Sequence, residues 1–256
     1  MPSVSGVLRL LRSRAHGANL EGLARFGISG GHRLGVAVPD IRAVAKEIGR
    51  DHRLALALWK TGITEARQVA AMIDDPGQVT EKQMETWVTD FDSWDVCDGV
   101  CSNLFENTSL VWKKIRDWAE RDEEFVKRAS FALIAGRAWH DMASPDDRFL
   151  ALFPVIERAA TDERNFVKKA VNWALRNIGK RNPKLNRAAI RFARRLRQSG
   201  SRSARWIAAD AIRELESDAV ARRLTLSCAG SRGSSRTSAR AARPVSARSS
   251  PSPLRR

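Results

Sequence analysis

IRDWAERDEEFVKRAS at residues 115–130 and IERAATDERNFVKKAV at residues 156–171 are two versions of one phrase. Ile115 matches Ile156 and Ala119 matches Ala160. Phe125, Val126 and Ala129 match Phe166, Val167 and Ala170, always 41 residues apart. A weaker copy, SARWIAADAIREL from Ser203, follows FVKKAVNWALRNI, and an earlier one sits at EARQVAAMI from Glu65. Within each copy the apolar residues fall at helical spacing, and convincing period-2 runs are absent. Turn signals separate the helical stretches at Asp75-Pro76-Gly77, Ser144-Pro145-Asp146, Asn182-Pro183 and Ser199-Gly200. About a dozen helices joined by short loops are expected.

A period near 40 residues with two helices per unit is the mark of a HEAT-type solenoid, in which stacked helix pairs bury a continuous core and curve. The fold expected is therefore all-α, a helical-repeat solenoid with a long concave face suited to an extended ligand. The basic residues recur with the repeat: Lys127-Arg128 and Lys168-Lys169 occupy equivalent places at the start of the second helix of their units, with Arg205 roughly equivalent in the last copy. Equivalent positions in a solenoid line one surface, so these cations are expected to form a row that tracks a phosphate backbone. Ordinary solvated helix charge is the competing reading of any one of them.

Composition points the same way. The 256 residues carry 45 Lys and Arg against 29 Asp and Glu, a formal net charge of +16. So large an excess favours polyanionic partners, nucleic acid ahead of membrane surface. Part of it lies in the Ser/Arg/Ala/Pro-rich stretch from Ser227, which has no acid and almost no large apolar residue and is expected to be a disordered tail, residues 227–256, beyond a folded domain of residues 1–226. Seven of the arginines fall in 228–256, and subtracting them leaves +9 on the body. The tail either adds weak phosphate attraction or has no role; both readings stand.

Three cysteines, Cys97, Cys101 and Cys228, argue against a disulfide framework. Cys97 and Cys101 lie one helical turn apart and read as buried thiols. Two thiols do not make a zinc site, and His16, His32, His52 and His140 complete no set, so no metal is expected. No apolar run reaches a membrane span and no signal-peptide core opens the sequence, so a soluble, cytoplasmic protein is expected.

Eight tryptophans accompany no tyrosine. Trp59, Trp87, Trp112, Trp118 and Trp139 fall at plausible core positions. SWDVCD places Trp94 and Asp98 at i and i+4 on one helix face, and NWALR places Trp173 and Arg176 at i and i+3. An indole beside a carboxylate suits a cationic target: the ring face attracts positive charge, and the carboxylate stabilises it and can orient a water. Asp95, about a quarter-turn from Trp94, is expected to be peripheral or to cap something. A core tryptophan with a surface aspartate is the default reading of any single such pair.

GVAVPDIRAVAKEI, SWDVCDGV, EFVKRASFALI and NFVKKAVNWALRNIGKRNP, in this order along the chain, resemble the AlkD-type DNA glycosylases, a HEAT-like-repeat family that removes alkylated purines. The resemblance runs from about Leu20 to Leu224. It implies Asp98 as catalytic aspartate, Trp94 and Trp173 as the cleft tryptophans that pack on the sugar, and Arg128 and Arg176 as DNA-contacting arginines beside Lys127, Lys168 and Lys169. Phe26 stands where the family form has a tyrosine, and Ala37 where a polar residue is often found. The implied protein is a monofunctional glycosylase without cofactor. It acts as a monomer on double-stranded DNA containing alkylated bases, without drawing the base into a tight pocket. The competing reading is a non-catalytic HEAT-like protein that binds DNA structure or scaffolds other proteins. A carboxylate among cations favours catalysis, since a pure binder has no need of a group that repels phosphate.

Overall fold

In the computed structural model, residues 2–28 and 32–226 are described, and the basic stretch from Ser227 lies outside them. The chain begins with α1 (Val4–Ser13), the single turn α2 (Ala18–Glu21) and a 3-10 turn at Leu23–Phe26. It continues through α3 (Val38–Ile48), α4 (His52–Trp59), α5 (Thr64–Ile73), α6 (Glu81–Thr89), α7 (Trp94–Asn103), α8 (Val111–Ala119) and α9 (Glu124–His140). The last units comprise α10 (Asp146–Leu150), α11 (Phe153–Ala159), α12 (Asn165–Gly179), α13 (Pro183–Leu196) and α14 (Arg202–Leu215). Among the described residues, β structure amounts to two isolated bridges, Ala15 to Val36 and His32 to Ile63. The all-α expectation holds. About a dozen helices were expected, against the fourteen named above among the described residues; α2 and α10, of four and five residues, are the shortest.

Local chemistry sets the boundaries. Ser3, Asp51, Thr80, Asn182 and Ser201 each accept a hydrogen bond from a backbone N–H in the first turn of the helix that follows, satisfying a donor with no partner inside the helix. Pro183 sits in the first turn of α13, where its missing N–H costs nothing.

The helices pack as two rows. α3, α5, α7, α9, α12 and α14 contact one another in succession, and the contact between α9 and α12 is the most extensive in the molecule. α4, α8, α11 and α13 pack against members of this row. The repeat register is visible in side chains. Phe125 and Phe166, equivalent residues of successive units, meet with ring centroids 5.5 Å apart. Asn177 Nδ2 donates to the Ala135 carbonyl at 3.0 Å, tying α12 to α9.

An aromatic chain runs through the first half of the core. Trp59 stacks on Trp87 at 4.0 Å, Trp87 meets Phe105, and Phe105 meets Trp118 at 5.8 Å. Such pairs add about 0.5–1.5 kcal/mol each beyond area burial. Trp59, Trp87 and Trp118 are buried as expected, and Trp112 is half-buried against Phe149. Trp139 is not a core residue. It lies in the last turn of α9, 43% exposed, with the Arg223 guanidinium 3.7 Å above its ring and Lys180 Nζ at 5.8 Å. Helical periodicity placed it on the core stripe, but the last turn of a 17-residue helix is covered by cations instead of an apolar neighbour.

Candidate active site in the cleft between helices α7, α9 and α12

Three neighbouring helices of the continuous row meet a lip of chain from residues 25–27 and enclose a cleft of about 720 Å³. α7 contributes Trp94 and Asp98, α9 contributes Arg128, and α12 contributes Phe166, Lys169 and Trp173. The i, i+4 spacing puts Trp94 and Asp98 on one face of α7, as the sequence implied.

Asp98 is held by one partner. Arg128 Nε donates to Asp98 Oδ1 at 2.9 Å and Nη2 to Oδ2 at 2.7 Å, a fork that fixes the carboxylate plane. The third guanidinium nitrogen, Nη1, donates to the Phe166 carbonyl at 2.7 Å, so Arg128 also ties α12 to α7. The Arg128 side chain is only 8% exposed, against 21% for Asp98. Burial pushes the Asp98 carboxyl above the ordinary carboxylate range, and the Arg128 charge works against that push.

The lip is built from polar ties. Trp94 Nε1 donates to the Phe26 carbonyl at 3.0 Å, bringing the indole beneath the lip while the Phe26 ring stays 67% exposed. Gly27 follows with φ near +70°, and a Cβ there would crowd the Phe166 ring at 3.0 Å, so a larger residue meets both backbone strain and a close contact. Downstream, the backbone N–H groups of Leu34, Gly35 and Val36 all donate to the buried Glu65 carboxylate at 2.8–3.3 Å. Arg33 forks onto Asp95 at 2.9 Å through both terminal nitrogens and donates to Ser93 Oγ. Asp95 is thus peripheral to the cleft and anchors the segment behind the lip. Burial works to raise its pKa, but the hydrogen bond and charge of Arg33 outweigh it, and the net shift is downward.

The predicted residues sort into two groups. Trp94, Asp98, Trp173, Arg128, Lys169 and Phe26 come together around one cleft. Lys127, Lys168 and Arg176 lie outside it. Lys127 Nζ stands 3.8 Å from Asp162, Lys168 lies over the Trp206 ring at 5.3 Å, and Arg176 pairs with Glu214, which also takes Lys180 at 2.8 Å. Arg205 donates to the carbonyls of Ser199 and Gly200 and secures a turn. The row of cations is therefore uneven: Lys169 is exposed at the cleft, whereas Arg128 is committed to Asp98. Sequence reasoning missed Arg25, Arg33 and Glu65. The signal for Arg33 and Glu65 lies in tertiary pairing over 29 to 62 residues and has no local pattern, and Arg25 enters only as part of the lip. Cys97 and Cys101 are buried free thiols, as read, with Sγ atoms near the Phe125 and Ala129 carbonyls.

Comparison with known proteins now places the chain. The family model for "DNA alkylation repair enzyme" matches residues 7–215. The chain belongs to the DNA alkylation repair enzyme family. Among solved structures it is similar to a protein described as one of "a new family of proteins related to the HEAT-like repeat DNA glycosylases with affinity for branched DNA structures". That likeness has a TM-score of 0.70 and 16% identity, over 83% of this chain and 95% of the other, and it shows the HEAT-like fold. A designed armadillo repeat protein also matches, at 15% identity and TM-score 0.38, over 83% of this chain and 93% of that one. No curated protein matches. The family match spans the cleft and both tryptophans. Among the described residues no helix is long and apolar enough to cross a membrane.

Proposed function

We propose that this member of the DNA alkylation repair family is a monofunctional DNA glycosylase. It hydrolyses the N-glycosidic bond of cationic N3- or N7-alkylpurines in double-stranded DNA. The observation that carries the reading is Asp98: an oriented carboxylate in a cleft that also holds Trp94 and Trp173, where the other charged side chains are Arg25, Arg128 and Lys169.

An alkylated purine with a formal positive charge is already a good leaving group. As the bond from its N9 to the sugar C1′ breaks, the electron pair goes to the purine and neutralises it, and positive charge appears on the deoxyribose ring. Asp98 stabilises that charge, and the electron-rich faces of Trp94 and Trp173 flank it. A water then bonds to C1′ and gives up its proton, with the carboxylate positioned to receive it. The products are a neutral alkylpurine and an abasic site. Lys169 and Arg25 serve the phosphates. Arg128 acts on Asp98, because its three donating nitrogens are already engaged.

The second reading is a protein that binds DNA structure without excising bases. It is favoured by the printed affinity of the similar HEAT-like protein for branched DNA. Incubating the protein with duplex containing 7-methylguanine, beside Asp98→Asn, separates the two. Release of free 7-methylguanine by the native protein alone supports hydrolysis. Binding with no release by either supports the second reading and removes the first.

A further inference from the structure

The cleft does not end at Asp98. A second chamber of about 340 Å³ opens beyond it and shares Asp98 and Trp173 as a common wall. It follows the same three helices one turn further on: Ser102 lies one turn past Asp98 on α7, and Asn177 one turn past Trp173 on α12. A helical turn rises about 5.4 Å.

The chamber has three parts. Its floor on α9 is made of small residues, Ala132, Ala135 and Gly136, at i, i+3 and i+4 on one face. Gly136 is set by what lies behind it, since a Cβ there would overlap Oε2 of the buried Glu106. Its side wall is the Trp173 ring. Its far end carries Lys180, which lies over the half-exposed Trp139 ring, with Arg223 against the same ring just outside the chamber; His140 is held through Nδ1 by Glu106 Oε1 at 2.9 Å. Glu214 pairs with Lys180, so the end is not a bare cluster of charge.

A flat apolar floor, an aromatic wall and cations at one end match a nucleotide, base inward and phosphate outward. We propose that the second chamber receives a nucleotide of the bound strand, unstacked from the duplex beside the one at Asp98. Its base lies over Ala132, Ala135 and Gly136 against Trp173, and its phosphate meets Lys180, Arg223 and His140. This rests on the reading of the first cleft as a DNA site. Stacking of a base on an aromatic side chain tolerates any sequence, so the subsite favours unpaired nucleotides of all four kinds.

The test is binding of undamaged DNA, comparing a fully paired duplex with the same duplex carrying one unpaired nucleotide. The native protein is expected to bind the bulged duplex about tenfold more tightly. Ser102 is exposed on the rim, so Ser102→Phe fills the chamber without touching the core, and the preference should vanish; Trp139→Ala removes the ring against which Lys180 and Arg223 are placed for the phosphate and should reduce it. Equal native affinity for the two duplexes overturns the proposal, as does a tenfold preference that survives in Ser102→Phe. The outcome is separable from the proposed activity. Alkylpurine release with no bulge preference defeats the subsite alone, and bulge preference with no release defeats the glycosylase alone.

Discussion

The Asp98 carboxylate takes both its hydrogen bonds from one side chain, the guanidinium of Arg128, at 2.9 and 2.7 Å. The pair is asymmetric in its consequences. Burial already raises the Asp98 pKa, and Arg128 is the main influence lowering it. Arg128→Gln removes that influence and leaves the burial. The Asp98 pKa then rises further, and since the carboxylate is the working form, activity is lost at a higher pH on the acid side. The acid limb of 7-methylguanine release, measured from about pH 4 to 8, is expected to move upward in Arg128→Gln and to stay in place in Lys169→Ala. An acid limb unmoved by Arg128→Gln would show that Asp98 does not set it.

Asp98→Asn keeps the shape of the group and removes the charge. Base release is expected to fall about 10²- to 10³-fold, as when a group that stabilises transition-state charge is removed. Affinity for undamaged duplex is expected to rise, because a carboxylate that repels phosphate is gone and Arg128 is freed. Fluorescence anisotropy on a labelled duplex checks the second half. A variant that loses release and affinity together would point to a fold defect instead.

Two lysines of the repeat differ in what holds them. Lys169 is exposed at the cleft, and Lys127 stands beside Asp162. Lys169→Ala should weaken duplex binding and reduce the slope of log affinity against log salt by about 1. Lys127→Ala should change that slope less. Equal slope changes would mean that Lys127 leaves Asp162 when DNA binds.

Glu65 answers three backbone N–H groups at once. Glu65→Ala leaves those buried donors without a partner and is expected to cost about 3 kcal/mol in urea unfolding. Glu65→Gln keeps a carbonyl oxygen at the same place and should recover part of the loss. If Glu65→Ala unfolds like the native protein, the segment behind the lip is held by Arg33 with Asp95 and by the bonds to the Gly35 and His32 carbonyls.

The fold was legible because the repeat writes itself in equivalent residues. Phe125 and Phe166 match in sequence, 41 positions apart, and their rings touch in space. The shared face of Trp94 and Asp98 was legible for the same kind of reason, since helical spacing is local. Arg176 and Trp139 show where that reasoning ends. The sequence placed Arg176 on the face of Trp173 but carried no sign that Glu214, on the next unit, would claim it. Trp139 kept the apolar period into a last turn where no apolar neighbour follows. Arg33 lay in a segment without periodicity and Glu65 at the polar start of a helical stretch, and only the folded chain brings them to Asp95 and residues 34–36.

Gly136 and Glu106 share one volume, the first yielding its side chain to the carboxylate of the second. Thirty positions separate them, on different helical segments, yet Gly136 is not free to gain a side chain alone. A chain that gains a side chain at 136 must shorten residue 106 in the same lineage, and one that shortens 106 first opens the way for the other. Such a pair should be inherited together, and its joint replacement would mark branches of the family in which the floor beside the cleft was rebuilt.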